Sequence, residues 1–200
     1  MKIGLMGGTF NPIHYGHLLV AEEAREAFQL EEIWFIPSGC PPHKRHDELA
    51  SAEARLYMCQ LAIEGIPYFR VLSIEIESGE TSYTYNTLRL LHQQYPGNEW
   101  FFITGLDAIL ELPSWHHAEE LLDMAHFVAV SRPGHKIEEL SRVFTEEQRK
   151  KILTLTIPYL DISSSEIRRR VRHQRSIRFL TPEPVRQFIL SEGLYRGDRG

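Results

Sequence analysis

Short apolar segments of strand length alternate along this chain with longer segments of helical periodicity. KIGLM precedes LLVAEEAREAF, EIWFI precedes AEARLYMCQLAIEG, RVLSIEI precedes TLRLLHQQY, and EWFFITG precedes AEELLDM. Two further apolar runs, HFVAV and LTLTI, come before helical segments at 163–173 and 182–192. A strand followed by a helix, repeated, is typical of right-handed crossovers on a parallel sheet. The pattern predicts an α/β fold, a doubly wound Rossmann-like parallel sheet with helices on both faces.

The 200 residues are enough for one domain with a sizeable core. Apolar residues make up 42% of the chain and charged residues 24%, close to the average for soluble globular proteins. No apolar run reaches the ~18 residues of a membrane span, and MKIGLMGG is too short for a signal peptide. Cys40 and Cys59 lack the spacing of a disulfide or metal framework. These features predict a single domain over 1–200 in the cytoplasm, with 161–200 as its helical carboxyl-terminal portion.

Helix boundaries are marked at two places in the second half of the chain. Ser163 is followed three residues later by Glu166, the spacing of a capping box in which each side chain binds the other residue's amide. Thr181 and Pro182 provide a cap and a first-turn proline for a helix that Gly193 ends. Ligands of doubly wound sheets bind at the carboxyl ends of the strands, so the segments that follow strands are the candidates for function.

The segment GGTFNPIHYGH directly follows the first predicted strand. Gly7 and Gly8 permit a ligand to approach the backbone closely, and the helix that follows offers free amides to a phosphate. His14 and His17 are three residues apart, so both can lie on one helix face. Three hypotheses stay open for this pair: a structural role, zinc ligation with no evident third ligand, or hydrogen-bond donation to a phosphoryl group.

Three later segments also follow predicted strands, and each has an ordinary structural interpretation. PSGCPPHKRH has the composition of an exposed turn, and SGETSYTYNT that of a helix capped by Ser or Thr. In FFITGLDAILELPSWHH, Asp107 is either a helix cap or an acceptor for a ribose hydroxyl. Trp115 is a core or surface aromatic unless a ligand stacks on it.

Positive charge is concentrated at the carboxyl end of a chain whose formal net charge is −5. Residues 161–200 contain nine Arg and five Asp or Glu, and six of these Arg lie between 168 and 178. Serine hydroxyls and amides at the start of the predicted helix, together with Arg168, are suited to bind a triphosphate. The remaining arginines need be no more than a solvated helix face: Arg169, Arg170, Arg172, Arg175 and Arg178.

The motifs resemble those of a known superfamily. GTFNPIHYGH is similar to the GxFDPxHxGH signature of the nucleotidyltransferases, with Asn11 where Asp is usual. PPHK at 41–44, SYT at 82–84 and ISSSEIR at 162–168 resemble motifs at the corresponding points of bacterial nicotinate-nucleotide adenylyltransferases. Ser165 stands where Thr is usual and keeps the hydroxyl. The resemblance covers the chain from residue 7 to residue 168.

This resemblance implies three sets of site residues. The implied catalytic set is His14, His17, Lys44 and Arg168. The implied ATP-binding set is Gly7, Gly8, Thr9, Phe10, Gly105, Asp107, Ile162, Ser163, Ser164 and Ser165. The implied nicotinate mononucleotide set is His43, Lys44, Ser82, Tyr83, Thr84, Trp115 and His116, and no metal ligands are expected in the protein.

The resemblance also implies the reaction. The phosphate of nicotinate mononucleotide attacks the α-phosphorus of ATP in line, pyrophosphate departs, and no covalent enzyme intermediate forms. The implied cofactor is Mg²⁺ held mainly by the ATP phosphates. The expected partners are these two small molecules, without nucleic acid or a membrane, and a homo-oligomer is left open.

Other functions fit the same residues less well. Phosphopantetheine adenylyltransferases and glycerol-phosphate cytidylyltransferases share the fold, but PPHK and SYT are not typical of them. A noncatalytic nucleotide sensor and a nucleic-acid-binding fragment that uses the arginine cluster are hypotheses of different classes. The acidic net charge and the lack of a lysine-containing KMSKS-like signal disfavour the nucleic-acid fragment.

Overall fold

The computed structural model describes residues 1–40, 49–79, 81–131, 137–158 and 160–197. Within these ranges the strands are β1 (Lys2–Gly8), β2 (Glu32–Pro37), β3 (Phe69–Val71), β4 (Glu99–Gly105), β5 (His126–Ser131) and β6 (Ile152–Thr156). The helices there are α1 (Tyr15–Phe28), α2 (Ala52–Ile63), α3 (Ile74–Ser78), α4 (Thr84–Gln94), α5 (Leu106–Leu110), α6 (Ala118–Met124), α7 (Leu140–Val143), α8 (Glu146–Arg149), α9 (Ser164–Arg172) and α10 (Glu183–Ser191).

The strands form a six-stranded parallel sheet in the order β3-β2-β1-β4-β5-β6. Lys2 of β1 lies opposite Glu99 of β4, and Phe101 of β4 lies opposite His126 of β5. The chain adds strands on one side of β1 and then on the other, which is the arrangement of a doubly wound sheet. The predicted α/β Rossmann-like fold class is confirmed.

Clustering of the contacts divides the chain into two compact units. Unit 1 consists of Met1–Gly7, Val20–Trp34 and Ser82–Tyr159, and unit 2 consists of Gly8–Leu19, Phe35–Thr81 and Leu160–Gly200. The boundaries pass through β1, α1 and β2 rather than through a linker. The expectation of one domain over 1–200 stays a prediction.

The core of unit 1 is built on β4 and β5. Residues 100–103 and 127–129 are all buried, which is why these strands are continuous apolar runs rather than alternating patterns. Each large side chain buried in this way contributes about 1.5–3 kcal/mol. Gly4 of β1 is closely surrounded, because a Cβ would lie 2.4 Å from Cδ1 of Ile33 and 2.9 Å from Cδ1 of Ile103, and these side-chain ends would have to shift.

Unit 2 packs α2 against β3 and against α10. Met58 and Ala62 of α2 are buried, as are Val185 and Ile189 of α10, and each pair has the four-residue spacing of one helix face. Cys59, next to Met58, is also buried. Burial raises the pKa of the Cys59 thiol, so this side chain stays protonated and behaves as a small apolar residue.

The predicted strand RVLSIEI is only partly correct. β3 ends at Val71, and the residues that follow form the single-turn helix α3. The Ser73 carbonyl accepts from the amides of Ile76 and Glu77, and the Ser73 hydroxyl donates to the Glu77 carboxylate. These bonds close a helical turn, although the alternating apolar residues of RVLSIEI predict a strand.

Among the described residues, no helix is both long enough and apolar enough to cross a membrane.

Candidate active site

Residues 8–17, which we call the histidine turn, run from the end of β1 into the first turn of α1, and residues 10–14 between these elements are buried although they form a loop. Phe10, Asn11 and Ile13 are each 3% exposed or less. Phe10 has a positive φ of 47°, a conformation that is uncommon for a bulky side chain. Backbone held in such a conformation inside a protein is a feature that clusters at functional sites.

The two histidines of this turn stack on each other. The ring centroids of His14 and His17 are 3.7 Å apart, and the ring planes differ by 26°. The backbone N–H of His14 donates to Nδ1 of His17 over 3.2 Å, so this nitrogen acts as an acceptor. In the neutral His17 ring the proton consequently lies on Nε2, which becomes the donor atom of this side chain.

His14 is 6% exposed, and burial lowers its pKa to about 4. Its imidazole is therefore neutral at pH 7 and can donate a hydrogen bond without adding a positive charge. The Nδ1 atom of His14 is buried and has no hydrogen-bond partner among the residues that the structure describes. Buried polar atoms normally have a partner, and an atom of a bound ligand would provide one.

Gly16 stands between the two histidines because the His14 ring needs its space. A Cβ on Gly16 would lie 3.0 Å from both Cε1 and Nδ1 of His14, and 3.6 Å from the Ile162 carbonyl oxygen. A Cβ here would make a tight contact that the His14 ring must relieve by a shift of a few tenths of an ångström. The glycine of HYGH avoids this contact.

The start of α9 is bonded to the histidine turn. Ser164 Oγ donates to the Pro12 carbonyl over 2.8 Å, and Arg168 Nη1 donates to the Asn11 carbonyl over 2.9 Å. These partners are 152 and 157 positions apart in the chain. The structure thus brings ISSSEIR and the HxGH segment together within unit 2, whereas the phosphate-binding role of Arg168 stays a prediction.

The predicted capping box at the start of α9 is only half formed. Ser163 Oγ accepts from the Glu166 amide over 3.2 Å, as predicted. The Glu166 carboxylate, however, binds the guanidinium groups of Arg169 and Arg170 instead of the Ser163 amide. Hydrogen bonds from Arg169 and then Arg170 lower the pKa of Glu166 to about 2, because charged donors bind a carboxylate more strongly than an amide does.

Thr181 does not cap α10, contrary to prediction. The N-cap residue is Pro182, and Thr181 Oγ1 donates to the Ile13 carbonyl over 2.8 Å. Next to this bond, the Tyr15 N–H donates to the Leu180 carbonyl over 3.2 Å. A buried hydroxyl thus binds the histidine turn instead of its own helix.

Asn11 stands where the signature usually has Asp. Its Oδ1 atom accepts from the Tyr195 hydroxyl over 2.7 Å and from the Ala50 N–H over 3.1 Å. A neutral amide serves these two donors without placing another charge in a buried position. Burial raises the pKa of Tyr195, so the phenol keeps the proton that it donates.

Sequence reasoning missed Arg55 of α2, which is 1% exposed. Its guanidinium donates to three backbone carbonyls, those of Thr9 at 2.9 Å, Ala50 at 3.1 Å and Gly39 at 3.4 Å. Burial lowers the pKa of Arg55, yet a guanidinium remains charged at neutral pH. This one side chain therefore joins the histidine turn to the residues on either side of the segment 40–49.

A signal for Arg55 was present in the sequence. Arg55, Met58, Cys59 and Ala62 are the buried residues of α2, and their spacing is that of a single helix face. A charged residue on the buried face of a helix needs partners, and its position on that face could have identified it.

In unit 1 a group of five rings follows β3 and β4, and we call it the ring cluster: Tyr83, Tyr85, Trp115, His116 and His117. The Tyr83 and His116 centroids are 4.7 Å apart, and Tyr85 stacks on His117 at 4.2 Å. Tyr83 and His116 are exposed, so the cluster is open to solvent. The structure brings together two of the residues predicted for nicotinate mononucleotide.

Trp115, which precedes His116 in the chain, is half-buried. Its ring meets Phe102 and Phe127 edge to face, at centroid distances of 6.2 and 6.4 Å. Two buried core rings therefore hold the indole in place, and part of its surface stays exposed. This geometry suits a ring on which a planar group stacks.

The side-chain caps predicted for α4 and α5 are wrong. α4 begins with Tyr83 as its N-cap residue, and no side chain makes the cap hydrogen bond. Gly105, not Asp107, is the N-cap residue of α5, and Asp107 is exposed in the first turn. Ser82 and Thr84 flank the cap instead of forming it.

Two predicted site residues, His43 and Lys44, lie outside the described residues. The others fall into one unit or the other. Unit 2 contains Gly8, Thr9, Phe10, His14, His17, Ile162, Ser163, Ser164, Ser165 and Arg168. Unit 1 contains Gly7, Ser82, Tyr83, Thr84, Gly105, Asp107, Trp115 and His116.

Comparison with known proteins identifies the family. A family model described as cytidylyltransferase-like matches residues 5–170. A protein of Geobacillus kaustophilus named "Probable nicotinate-nucleotide adenylyltransferase" is 45% identical over 199 residues, which cover 100% of this chain and 88% of that protein. The chain belongs to the nicotinate-nucleotide adenylyltransferase family. Another member, with the same name in Moorella thermoacetica, is 44% identical over 98% of this chain and 92% of its own length.

Solved structures support the fold of this family. A Plasmodium falciparum nicotinic acid mononucleotide adenylyltransferase complexed with NaAD aligns with a TM-score of 0.79 and 24% identity, over 100% of this chain and 99% of that chain. The same protein complexed with APC aligns with a TM-score of 0.75 over the same shares. At this identity the likeness extends to the fold alone.

Proposed function

We propose that the chain transfers the adenylyl group of ATP to nicotinate mononucleotide, giving deamido-NAD and pyrophosphate in NAD biosynthesis. The observation that carries this proposal is the 45% identity, over the whole chain, to a relative that bears the corresponding name. The histidine turn supports it from the structure, because it holds two imidazoles and a buried unpartnered nitrogen beside the start of α9. These are groups suited to a phosphoryl oxygen.

In the proposed reaction, an oxygen of the acceptor's 5′-phosphate attacks the α-phosphorus of ATP in line. The new P–O bond forms as the bond from the α-phosphorus to the bridging oxygen of the β-phosphate breaks, and pyrophosphate leaves. A phosphate monoester is largely ionised at neutral pH, so the attacking oxygen needs no strong general base. The contribution of the chain is positioning and stabilisation of charge.

We assign the two histidines different parts in this step. His17 offers its Nε2–H as a donor, because its Nδ1 already accepts from the His14 backbone. His14 is neutral, so it contributes a hydrogen bond rather than a positive charge. The positive charge that the departing pyrophosphate requires is then left to Arg168 and Lys44.

We infer that the rest of the ATP site is formed by backbone and hydroxyl groups. Ser163, Ser164 and Ser165 open α9, whose first amides and positive dipole end favour an anion. Gly105, at the end of β4, has an ordinary φ of −67°, so the backbone conformation does not require a glycine here. A Cβ at this position would meet no described atom within 4 Å, which leaves open space at the end of the strand. The space beside this glycine is free for a nucleoside. Gly7, Gly8, Thr9, Phe10, Asp107 and Ile162 complete the proposed set.

We propose that the nicotinate ring is recognised by the ring cluster. Trp115 would stack on the pyridine, while the His116 amide and the residues at 82–84 bind its carboxylate. The exposure of Tyr83 and His116, and the anchored indole of Trp115, support this role. His43 and Lys44 are assigned to the same substrate on the resemblance of PPHK alone.

The proposed cofactor, Mg²⁺, enters with ATP. In the described parts of the chain, no group of three or more His, Cys, Asp or Glu side chains is placed to hold a metal ion. Mg²⁺ binds readily through phosphate oxygens and water, without a cage of protein ligands, and neutralises part of their charge. We propose that the reaction takes place in the cytoplasm on these small molecules, without nucleic acid.

The test is release of pyrophosphate from ATP with four acceptors: nicotinate mononucleotide, nicotinamide mononucleotide, phosphopantetheine and glycerol 3-phosphate. A second series replaces ATP with CTP, because the matching family model is cytidylyltransferase-like. We expect the highest rate with ATP and nicotinate mononucleotide. Release only with phosphopantetheine, or only with CTP, would contradict the proposal, and release in no series would favour a nucleotide sensor. The variant His17→Ala, purified in parallel, controls for contaminating activity.

A further inference from the structure

α9, α10 and the turn between them border an open groove in unit 2 with a volume of about 910 Å³. Five arginines line this groove, which we call the arginine groove: Arg172, Arg175, Arg178, Arg186 and Arg196. Of the described residues that line it, none is acidic. In a chain with a formal net charge of −5, this is a local reversal of sign.

Two carboxylates near the groove in sequence, Glu166 and Glu183, bind arginines. Glu166 binds Arg169 and Arg170, neither of which lines the groove. Glu183 binds Arg186 at 2.5 Å, and this hydrogen bond is the main cause that lowers the pKa of Glu183 to about 2. Glu183 thus engages Arg186 of the groove, whereas Glu166 engages arginines outside it.

Among the residues that the structure describes, two of the five guanidinium groups have no direct partner. Arg175 and Arg178 are exposed, and within the described ranges their side chains make no hydrogen bond and no ion pair. The charge of Arg178 helps to lower the pKa of Glu183 without a direct contact between the two side chains. Like charges gathered on one surface repel each other, and a multivalent anion relieves that repulsion.

The backbone that carries these arginines is ordered. Val171 and Ile177 are buried beneath the groove. The Ser176 carbonyl accepts from Arg170 Nη1 over 3.2 Å, and Ser176 Oγ accepts from the Arg178 amide over 3.2 Å. A bridge between Arg178 and Thr181 fixes the other side of the turn. The guanidinium groups of the arginine groove therefore extend from backbone that is held by buried side chains and hydrogen bonds.

We propose that the arginine groove binds an oligophosphate anion, either an inorganic oligophosphate or the phosphate chain of a nucleotide. The planar fork of arginine matches phosphate oxygens in pairs, and several arginines in one groove require a ligand with more than one anionic group. The volume lies in the range of small-molecule sites. This ligand class follows from the groove itself and does not depend on the proposed adenylyl transfer.

The groove is separate from the ATP site proposed above. Ser164, at the first turn of α9, is bonded to the histidine turn, whereas the groove begins at Val171 and Arg172 at the other end of this helix. With about 1.5 Å of rise per residue, the two ends of α9 are roughly 12 Å apart. Occupancy of the groove can thus be measured independently of catalysis.

The test compares two double variants with the same change in charge. Arg175→Glu with Arg178→Glu alters the groove, and Arg149→Glu with Lys150→Glu alters exposed residues at the end of α8 in unit 1. Inorganic tripolyphosphate is titrated calorimetrically into wild type and both variants at about 50 mM salt, where screening is weak. We expect the groove variant alone to lose one site, or to bind at least about tenfold more weakly there. Thermal unfolding checks that both variants are folded.

A parallel titration with ATP distinguishes the sources of the ligand. Loss of one ATP site in the groove variant identifies nucleotides as ligands, and loss confined to tripolyphosphate identifies inorganic oligophosphate. Equal binding by wild type and the groove variant, or an equal loss in the α8 variant, would overturn the proposal. Tighter, groove-dependent binding of an oligouridine would also overturn it in favour of RNA. A groove variant that loses kcat for adenylyl transfer along with the site would refute a separate site.

Discussion

The histidine turn and the ring cluster carry the residues proposed for the two substrates, and they are constructed differently. Backbone groups at 9, 11, 12 and 13 in the turn bind side chains that are 46 to 168 positions away. The ring cluster is open to solvent and held by ring contacts, together with hydrogen bonds to the Glu120 carboxylate from Tyr85 at 3.1 Å and from His117 at 2.9 Å. One region is fixed by the rest of its unit, and the other lies open.

This difference matches two different demands on a transferase. Groups that stabilise a transition state act best when they are fixed before the substrate arrives, because no energy is then spent on reorganising them. Groups that select an acceptor ring need accessible surface. Loss of a group from the turn should therefore reduce turnover, and loss of a ring should reduce acceptor affinity.

The strongest test of this difference removes the Nε2–H donor of His17. We expect His17→Ala to lower kcat by ~10²- to 10³-fold while the protein remains folded, since one transition-state donor is lost. His17→Gln, which keeps an N–H near the Nε2 position, should lose less. The measurement is pyrophosphate release with thermal unfolding in parallel. Near-wild-type turnover in His17→Ala would show that the histidine turn does not stabilise the transition state.

The second prediction concerns the frame of the turn. Arg55→Met leaves the carbonyls of Thr9, Ala50 and Gly39 without their donor, and we expect a loss of about 3 kcal/mol in the free energy of unfolding. We also expect the KM for ATP to rise, because the turn is less well held. Urea unfolding and steady-state kinetics measure the two effects.

Cys59→Ala, on the same buried face of α2, is the matched control for Arg55→Met. It should lower stability through lost packing and leave the KM for ATP near that of wild type. If both variants raise this KM equally at equal stability, Arg55 acts only through general stability and not through the turn.

The third prediction concerns the ring cluster. Trp115→Ala should raise the KM for nicotinate mononucleotide about tenfold, or ~1.4 kcal/mol, while kcat and the KM for ATP stay within about twofold. Removal of the exposed ring of Phe179 serves as the control and should alter none of these constants. A fall in kcat without a change in the acceptor KM would mean that the cluster takes part in the chemical step.

The smallest expected effect is on stability as a function of pH. The pKa of His14 is about 4 in the folded chain, against 6.5 for an ordinary histidine. As the pH falls below 6.5 the unfolded chain gains a proton that the folded chain does not bind, so stability decreases until about pH 4 and is unaffected above 6.5. Between about pH 7.5 and 5.5, wild type should lose roughly 1 kcal/mol more than His14→Asn. The measurement is urea unfolding of both proteins across this pH range. If the free energy of unfolding falls equally with pH in both, His14 titrates normally.

Much of the fold could be predicted because its signal is local. The alternation of strand and helix patterns predicted the doubly wound sheet, and the capped start of α9 was found at Ser163. The strand predicted at RVLSIEI is wrong in its second half, where a hydrogen bond between Ser73 and Glu77 closes a helical turn. Competition between neighbouring polar side chains is not visible in an apolar pattern.

The site was predictable only where motifs mark it. His14 and His17 were found by their spacing, whereas the role of Arg55 could not be predicted even from its place on the helix face, because its partners are carbonyl oxygens. Every residue has a carbonyl, so such partners leave no trace in the sequence. For the same reason, Thr181 was interpreted as a local cap although it binds Ile13.

The bonds from Tyr195 to Asn11 and from Thr181 to Ile13 have a consequence for biosynthesis. Tyr195 and Thr181, whose hydroxyls bind the Asn11 side chain and the Ile13 carbonyl of the signature motif, are synthesised 184 and 168 residues after those partners. Contacts between such distant residues form late, because a long loop must close first. During translation the motif therefore lacks these two hydrogen bonds until the residues from 181 to 195 have been synthesised. A nascent chain that stops earlier exposes the motif without them.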